Sequence, residues 1–229
     1  LASPDKKACR VAAEGVVVAY YDEANKVASM VEVNCETDFV AKNEKFVELA
    51  NKIAVTVAEK NPADVDALLA MTLSGSDETV SDAVQELFLV IRENMKVRRF
   101  VRVEGTVASY IHGGGSVGVL VSFDTDAADK AEFKEMGRNV AMQIAALNTP
   151  YLNESEVPAE IIEHEKEVMR QQVINEGKPE QIADKIVMGK IGKFYKENCL
   201  LDQEFVKDNK INIKQYTQNT AKELGGSIE

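Results

Sequence analysis

The sequence has little of the chemistry that metal sites and disulfide frameworks require. Its 229 residues include two histidines, three cysteines and no tryptophan. Cys9, Cys35 and Cys199 are odd in number and show no C-x-x-C spacing, so they predict neither a disulfide framework nor a zinc site. His112 and His164 are the only histidines, which excludes a histidine-rich metal site. We therefore expect reduced thiols, no cofactor and no bound metal.

Long apolar runs and an excess of basic residues are also missing. No window holds the 18 or more apolar residues of a membrane span, and residues 1–10 lack the apolar centre of a signal peptide. Lys and Arg total 27 against 38 Asp and Glu, and this formal charge of −11 argues against direct nucleic-acid binding. We expect a cytoplasmic protein with a neutral or basic protein partner and no membrane contact. The sequence does not indicate the oligomeric state of the protein.

Catalytic motifs are absent as well. The sequence contains no H-E-x-x-H and no G-x-S-x-G elbow placed between a strand and a helix, and no pair of acids is singled out by its spacing. The enzymatic alternative is a thiol enzyme built from Cys35, His112 and Asp38, which needs a thiolate beside a base. Cys35 ends a strand-like run, where cysteine is most often buried and inert. We therefore expect a protein that is not an enzyme.

What the sequence does contain is a strand pair followed by an amphipathic helix. Residues 11–21 and 27–33 are rich in valine and are separated by a turn-forming segment, which predicts a β-hairpin. From Asn43 onward apolar residues recur at helical spacing, and the helix is expected to stop at Asn61-Pro62. Two further helices are expected as a spacer, at residues 63–71 and 77–97.

The same pattern begins again at Arg102. Strand positions of the two copies match at an offset of 90 residues, as in Tyr20 and Tyr110, whereas helix positions match at an offset of 87, as in Phe46 and Phe133. The first copy therefore carries three extra residues between its second strand and its helix.

The extra residues fall in a strand-to-helix connection, residues 37–41, that contains Asp38 and Phe39. Local pattern alone favours a structural role, in which Phe39 packs back onto its own sheet, because an exposed phenylalanine loses burial energy of about 1.5–3 kcal/mol. The repeat changes this interpretation, since shared packing does not explain an acid and an aromatic inserted in one copy only. We therefore expect Asp38 and Phe39 to have a functional role.

The hairpin turn of the second copy reads His112-Gly113-Gly114-Gly115-Ser116. Three glycines permit positive φ and a close approach of the backbone to another group. As a phosphate cradle the turn is a weak match, because it lies between two strands and lacks a G-x-G-x-x-G ahead of a helix. A flexible tip and a contact site are left as equal alternatives, with His112 expected to be exposed.

The remainder of the chain is predicted to be mainly helical. Residues 155–199 predict an antiparallel helical hairpin with a narrow apolar seam, broken at Gly177-Lys178-Pro179, and residues 205–206 and 211–224 predict a short extended piece and a last helix. The predicted fold is α+β, with two duplicated hairpin-plus-helix subdomains, each a small antiparallel sheet covered by helices, and an inserted antiparallel coiled coil. The predicted divisions are a first core copy (1–62), connecting helices (63–97), a second core copy (98–152), the helical hairpin (153–200) and a C-terminal segment (201–229) that returns to the second copy.

The ten residues from Glu32 to Ala41, EVNCETDFVA, resemble the signature of the elongation factor Ts family of nucleotide-exchange factors. Residues 93–99 and the SYIHG segment at residues 109–113 resemble further family segments, and a duplicated core with an added helical hairpin is the family's architecture. The resemblance departs at both ends, because the family's N-terminal helical module with its Thr-Gly-Ala-Gly motif is missing and a final strand is expected after Ser227. We therefore expect a core fragment of such a factor.

The resemblance also implies a partner and a mechanism. The partner is expected to be elongation factor Tu, a GTPase that holds its nucleotide through a phosphate loop and Mg²⁺. Family resemblance places Phe39 between helices of the partner's nucleotide domain, Asp38 near its Mg²⁺, and the glycine turn against its phosphate loop. The implied function is guanine-nucleotide exchange during translation elongation, and the alternative is a binding module without exchange activity. The partner-binding residues implied in this way are Thr37, Asp38, Phe39, Val40, His112 and Gly113.

Overall fold

The computed structural model of the protein describes residues 10–229, so Cys9 lies outside the described residues. The chain divides into two compact units, of which the first ends at Ala145 and also includes Glu229, and the second is Ala146–Ile228. In this described part of the chain, no helix combines the length and the apolarity needed to cross a membrane.

The first unit contains two small antiparallel sheets and the helices that cover them. Its strands are β1 (Glu14–Asp22), β2 (Val27–Cys35), β3 (Lys96–Glu104), β4 (Thr106–His112) and β5 (Val117–Phe123). Its helices are α1 (Asp38–Ala41), α2 (Glu44–Lys60), α3 (Val65–Ala70), α4 (Val80–Ile91) and α5 (Ala131–Leu147), the last ending just beyond the unit. The first sheet has the order β1-β2-β3, and β4 pairs with β5 in the second. The predicted α+β class is confirmed.

The core of the first unit lies between the first sheet and α2. In the β1–β2 pair Val16 lies opposite Val33 and Val18 opposite Val31, and all four side chains are buried. The α2 residues of the same core are Phe46, Leu49, Ala50, Ile53, Ala54 and Val57. Burying each large apolar side chain stabilises the unit by about 1.5–3 kcal/mol. The alternation in the strands and the helical spacing after Asn43 therefore specify one packed layer on another.

The second copy repeats the first in the structure. Hairpin pairing ends at Asp22 and Val27 in the first copy and at His112 and Val117 in the second, which is an offset of 90 residues. The bounds of α2 and α5 differ by 87 residues at both ends. The extra residues of the first copy lie between β2 and α2, where they form α1, whereas residues 124–130 connect β5 to α5 without a helix.

One predicted helix is too long. The helix expected over residues 77–97 ends at Ile91, because Arg92 adopts a left-handed conformation with φ of 66°. The chain then enters β3, which pairs antiparallel with β2 along its open edge. The prediction missed this strand because Arg102 was taken as the start of the second copy. Its strand-forming residues are Val97, Phe100, Val101 and Val103.

The second unit contains the predicted helical hairpin, formed by α6 (Ala159–Asn175) and α7 (Glu180–Asn198). Arg170 of α6 lies 3.6 Å from Glu180 and 3.7 Å from Asp184 of α7. The buried residues of the seam are Ile162, Val173, Ala183, Val187 and Ile191. The unit is completed by β6 (Glu204–Phe205), β7 (Asp208–Asn212) and α8 (Ile213–Leu224), of which the short β7 was not predicted.

Candidate functional site

The connection between β2 and α2 is held firmly at its base. Cys35, the last residue of β2, is buried, and its Sγ donates a hydrogen bond to the Thr37 carbonyl oxygen at 3.2 Å. Val40 and Ala41 of α1 are also buried, so they fix the turn from beneath. The predicted strand-to-helix loop is thus a one-turn helix seated on the core of the first unit.

Thr37 caps this helix. Its Oγ1 accepts a hydrogen bond from the Val40 N–H at 3.4 Å, and its carbonyl oxygen accepts one from the Ala41 N–H at 3.1 Å. A threonine cap of this kind typically contributes about 1 kcal/mol. Asn43 then caps α2 through its side-chain oxygen, so a second helix cap follows six residues after the first. The backbone on both sides of Phe39 is therefore tightly constrained.

Phe39 and Asp38 project from the constrained turn into solvent. The Phe39 residue is 86% exposed, so the alternative in which it packs back onto its own sheet is wrong. The Asp38 side chain is 64% exposed and is paired with Lys42 across one helical turn at 3.8 Å. An exposed pair of this kind contributes little to stability. The structure therefore presents an acid and an aromatic side by side on a rigid support.

Two acidic residues that are not among the predicted partner-binding residues hold this turn. The Thr37 N–H donates to Glu93 Oε2 at 3.1 Å, and the Thr37 hydroxyl donates to Glu93 Oε1 at 2.7 Å. The Asn94 N–H donates to Glu36 Oε1 at 2.7 Å. Both acids lie in segments quoted for the family resemblance, but no local pattern pairs positions more than 50 residues apart.

The second predicted contact lies at the tip of the β4–β5 hairpin. His112 is exposed, as expected, and its Nδ1 lies 3.2 Å from the Tyr110 hydroxyl oxygen. Gly113 has φ of 60°, and a Cβ there would lie 2.2 Å from Ser116 Oγ, so the turn requires glycine at this position. The Gly115 and Ser116 N–H groups both donate to the His112 carbonyl oxygen, which removes them as donors to a phosphate.

The tip is attached to the first sheet rather than extended into solvent. The Val17 N–H of β1 donates to the Gly115 carbonyl oxygen at 2.7 Å, which covers part of an otherwise open strand edge. β1 begins at Glu14, which pairs with Cys35 at the base of the loop. Three strand residues span about 10 Å. The tip therefore contacts β1 about 10 Å from the strand end at which the Phe39 loop begins.

The thiol-enzyme alternative finds no support in this geometry. Burial, with a further contribution from the negative charge of Glu93, raises the pKa of the Cys35 thiol to about 11. The Sγ hydrogen bond is made to Thr37, whereas His112 belongs to the other hairpin and faces Tyr110. A thiol with a raised pKa and no adjacent base is a poor nucleophile.

A cleft on the first unit contains an ion-paired acid. A cleft of about 350 Å³ between the first sheet and the second hairpin contains Glu32, which is paired with Arg98 at 3.6 Å and also with Arg99. No histidine or cysteine lines this cleft. Among residues 10–229, no group of three or more His, Cys, Asp or Glu side chains is placed to hold a metal ion.

Comparison with known proteins gives consistent matches over the chain. A family model described as Elongation factor TS matches residues 36–228. The chain is 49% identical over 231 residues to an elongation factor Ts of Clostridium perfringens (strain SM101 / Type A), covering all of this chain and 76% of that protein. It is 45% identical over 232 residues to an elongation factor Ts of Clostridium botulinum (strain ATCC 19397 / Type A), covering all of this chain and 75% of that protein.

Proposed function

The chain belongs to the elongation factor Ts family, and on this basis we propose that it binds elongation factor Tu and accelerates the release of GDP from it during translation elongation. In this role the chain makes and breaks no covalent bond, so it is a binding protein and not an enzyme. It acts in the cytoplasm, where translation takes place.

Linkage sets the thermodynamic requirement for such a role. A binding protein favours nucleotide release only if it binds the nucleotide-free form of the GTPase more tightly than the nucleotide-bound form. By reciprocity, GDP then weakens binding of the chain by the same factor. The contacts must therefore act on the elements that hold the nucleotide, which in a GTPase are the phosphate loop and the Mg²⁺ ligands.

Phe39 provides the observation that carries the proposal. A phenylalanine that is 86% exposed on a doubly capped turn is already in place to enter an apolar pocket. Large aromatic anchors of this kind dominate interface energies, and truncating one typically costs about 2–4 kcal/mol. We assign Phe39 to insertion between helices of the partner's nucleotide domain.

Asp38 stands beside Phe39 and adds negative charge at the same point. Among residues 10–229, its carboxylate is paired with the exposed Lys42 alone, at 3.8 Å, so it is available to a partner at little cost. An acid brought close to the bound Mg²⁺ competes with the oxygen ligands that this cation requires. In the proposal, Asp38 thereby disturbs the Mg²⁺ surroundings once Phe39 has entered.

The hairpin tip supplies a second contact. His112 and Gly113 lie at the surface, and the link from Gly115 to β1 fixes the tip relative to the first sheet. In the proposal this tip presses on the partner near its phosphate loop while the Phe39 turn acts near the Mg²⁺. Two contacts on one rigid unit apply force to both nucleotide-holding elements in a single binding event.

The proposal is tested by replacing Phe39 with alanine. The dissociation rate of a fluorescent GDP analogue from elongation factor Tu is measured with the wild-type chain, Phe39→Ala and the control Val90→Ala, which truncates another exposed apolar side chain of the same unit. We expect Phe39→Ala to lose most of the acceleration with its circular dichroism unchanged, and Val90→Ala to retain it. Equal acceleration by both variants would contradict the role of Phe39.

A further inference from the structure

The two acids beside the Phe39 turn form a reciprocal arrangement. The Glu36 carboxylate accepts the N–H of Asn94, which follows Glu93, and the Glu93 carboxylate accepts the N–H of Thr37, which follows Glu36. Each acid therefore bonds to the backbone immediately after the other acid. The two crossing bonds join the start of α1 to the connection between α4 and β3.

Further bonds complete this junction. Glu93 also accepts the Thr37 hydroxyl, which at the same time caps α1. Arg10 Nη1 donates to the second oxygen of Glu36, Oε2, at 3.4 Å, and the Asn94 side chain donates to the Arg10 carbonyl oxygen at 3.0 Å. The Glu36 side chain is only 13% exposed. The three bonds that the two carboxylates accept from Thr37 and Asn94 are therefore charge-assisted and partly buried.

We propose that Glu36 and Glu93 are positioning residues that hold Asp38 and Phe39 in the orientation used against the partner, a role that rests on the proposed function. We call the two acids and their crossing bonds the carboxylate clamp. The clamp itself does not touch the nucleotide site, and it acts through the turn.

The need for such a clamp follows from the physics of the turn. A single helical turn is not stable alone, because its first hydrogen bonds do not compensate for the ordering of its residues. An exposed phenylalanine also gains energy by collapsing onto nearby apolar surface. Bonds to charged acceptors are stronger than neutral ones and oppose this collapse. Holding the bound orientation in advance lowers the ordering cost of association.

Joining β3 to the sheet does not by itself require the clamp. β3 pairs with β2 along its length, from Lys96 with Asn34 to Glu104 with Val27. The clamp lies beyond the end of this pairing, at residues 36–37 and 93–94. Its bonds are thus placed where they fix the turn rather than the strand.

The test is Glu93→Gln, which removes the charge and replaces one acceptor oxygen by a donor group. Its matched control is Glu86→Gln, which makes the same change at an exposed position of α4. We expect Glu93→Gln to lower the acceleration of GDP release by about tenfold, consistent with the loss of a charge-assisted bond, and Glu86→Gln to leave it unchanged. In a background that carries both Asp38→Ala and Phe39→Ala, Glu93→Gln is expected to have no additional effect, because both groups that it positions are gone. Independent, multiplying effects would overturn the proposal.

Amide hydrogen exchange, followed by NMR in the chain without partner, separates the clamp from the proposed function. Glu93→Gln should exchange the Thr37 and Ala41 N–H groups at least tenfold faster than Glu86→Gln does, with α2 unaffected. If the wild-type chain fails to accelerate GDP release, the proposed function fails, and faster exchange still supports the clamp. Unchanged exchange at the turn overturns the clamp, and so does equal acceleration by wild type and Glu93→Gln when the wild-type chain accelerates GDP release.

Discussion

At the scale of single residues, Thr37 joins the chemistry of the turn to its support. Its N–H and hydroxyl donate to Glu93, its hydroxyl accepts from Val40, and its carbonyl accepts from Cys35 and Ala41. Every polar group of this residue is therefore bonded. In the proposal, these bonds hold the turn from which Phe39, two positions later, projects into solvent.

The sequence singles out Phe39 as a candidate contact but does not single out the residues that support its turn. The three-residue insertion was visible because the two copies could be compared at fixed offsets, and the inserted pair stood out against a shared apolar skeleton. Glu93 and Glu36 show no such contrast, since acids are common in this chain. Their proposed role depends on two hydrogen bonds, Thr37 to Glu93 and Asn94 to Glu36, whose partners are 56 and 58 residues apart in the chain. Only the folded structure brings these residues together.

Cys35 gives a prediction about pH. Burial first, and the charge of Glu93 second, raise the pKa of its thiol from 9.0 to about 11. Between pH 9 and pH 11 the folded chain therefore keeps a thiol proton that the unfolded chain has lost. The contribution of Cys35 to stability is therefore fully present below pH 9 and is lost as the pH rises toward 11. Urea unfolding between pH 8 and 11 should show a steeper loss of stability for wild type than for Cys35→Ala. Parallel curves would contradict the raised pKa.

At the scale of elements, the duplication explains most of what the sequence could predict. Valine alternation gave both hairpins, and the 87-residue offset between Phe46 and Phe133 gave two helices whose bounds agree at both ends. Strand β3 was not predicted, because its residues come soon after a helix and pair with a strand more than 60 residues earlier. Periodicity reports local structure, whereas the third strand is decided by an open edge elsewhere in the fold.

Gly118 tests how closely the two sheets pack. A Cβ at this position of β5 would lie 2.6 Å from both Met30 Sδ and Val17 Cγ1 of the first sheet, so the neighbours must move. We expect Gly118→Ala to lower the free energy of unfolding by about 1–3 kcal/mol. Gly189→Ala is the matched control, because this helical glycine of α7 has nothing within 4 Å of the added Cβ, and it should stabilise by about 0.4–1 kcal/mol.

Urea titrations of both glycine variants provide the measurement, with the midpoint and slope compared to wild type. An unchanged midpoint for Gly118→Ala would show that the sheets are not held as closely as the structure has them. A loss in Gly189→Ala equal to that in Gly118→Ala would show that the cost reflects the substitution itself rather than the contact.

At the scale of the whole molecule, the acidic composition and the placement of the candidate contacts are both compatible with the proposed protein partner. The chain carries a formal charge of −11, and the loop with the exposed Phe39 and the glycine tip both adjoin the first sheet. A net negative charge disfavours binding to the phosphate backbone of nucleic acid. The proposed mechanism uses the Phe39 turn and the glycine tip, both of which belong to the first unit.

The central claim is that the chain weakens GDP binding by its partner. The most direct measurement is the dissociation rate of fluorescent GDP from elongation factor Tu at increasing concentrations of the wild-type chain, with binding followed in parallel by calorimetry. We predict that the rate rises with concentration and reaches a plateau, and that added GDP weakens binding of the chain by the same factor that the chain weakens GDP binding. A chain that binds elongation factor Tu while the GDP dissociation rate stays constant would contradict the account and leave a binding module without exchange activity.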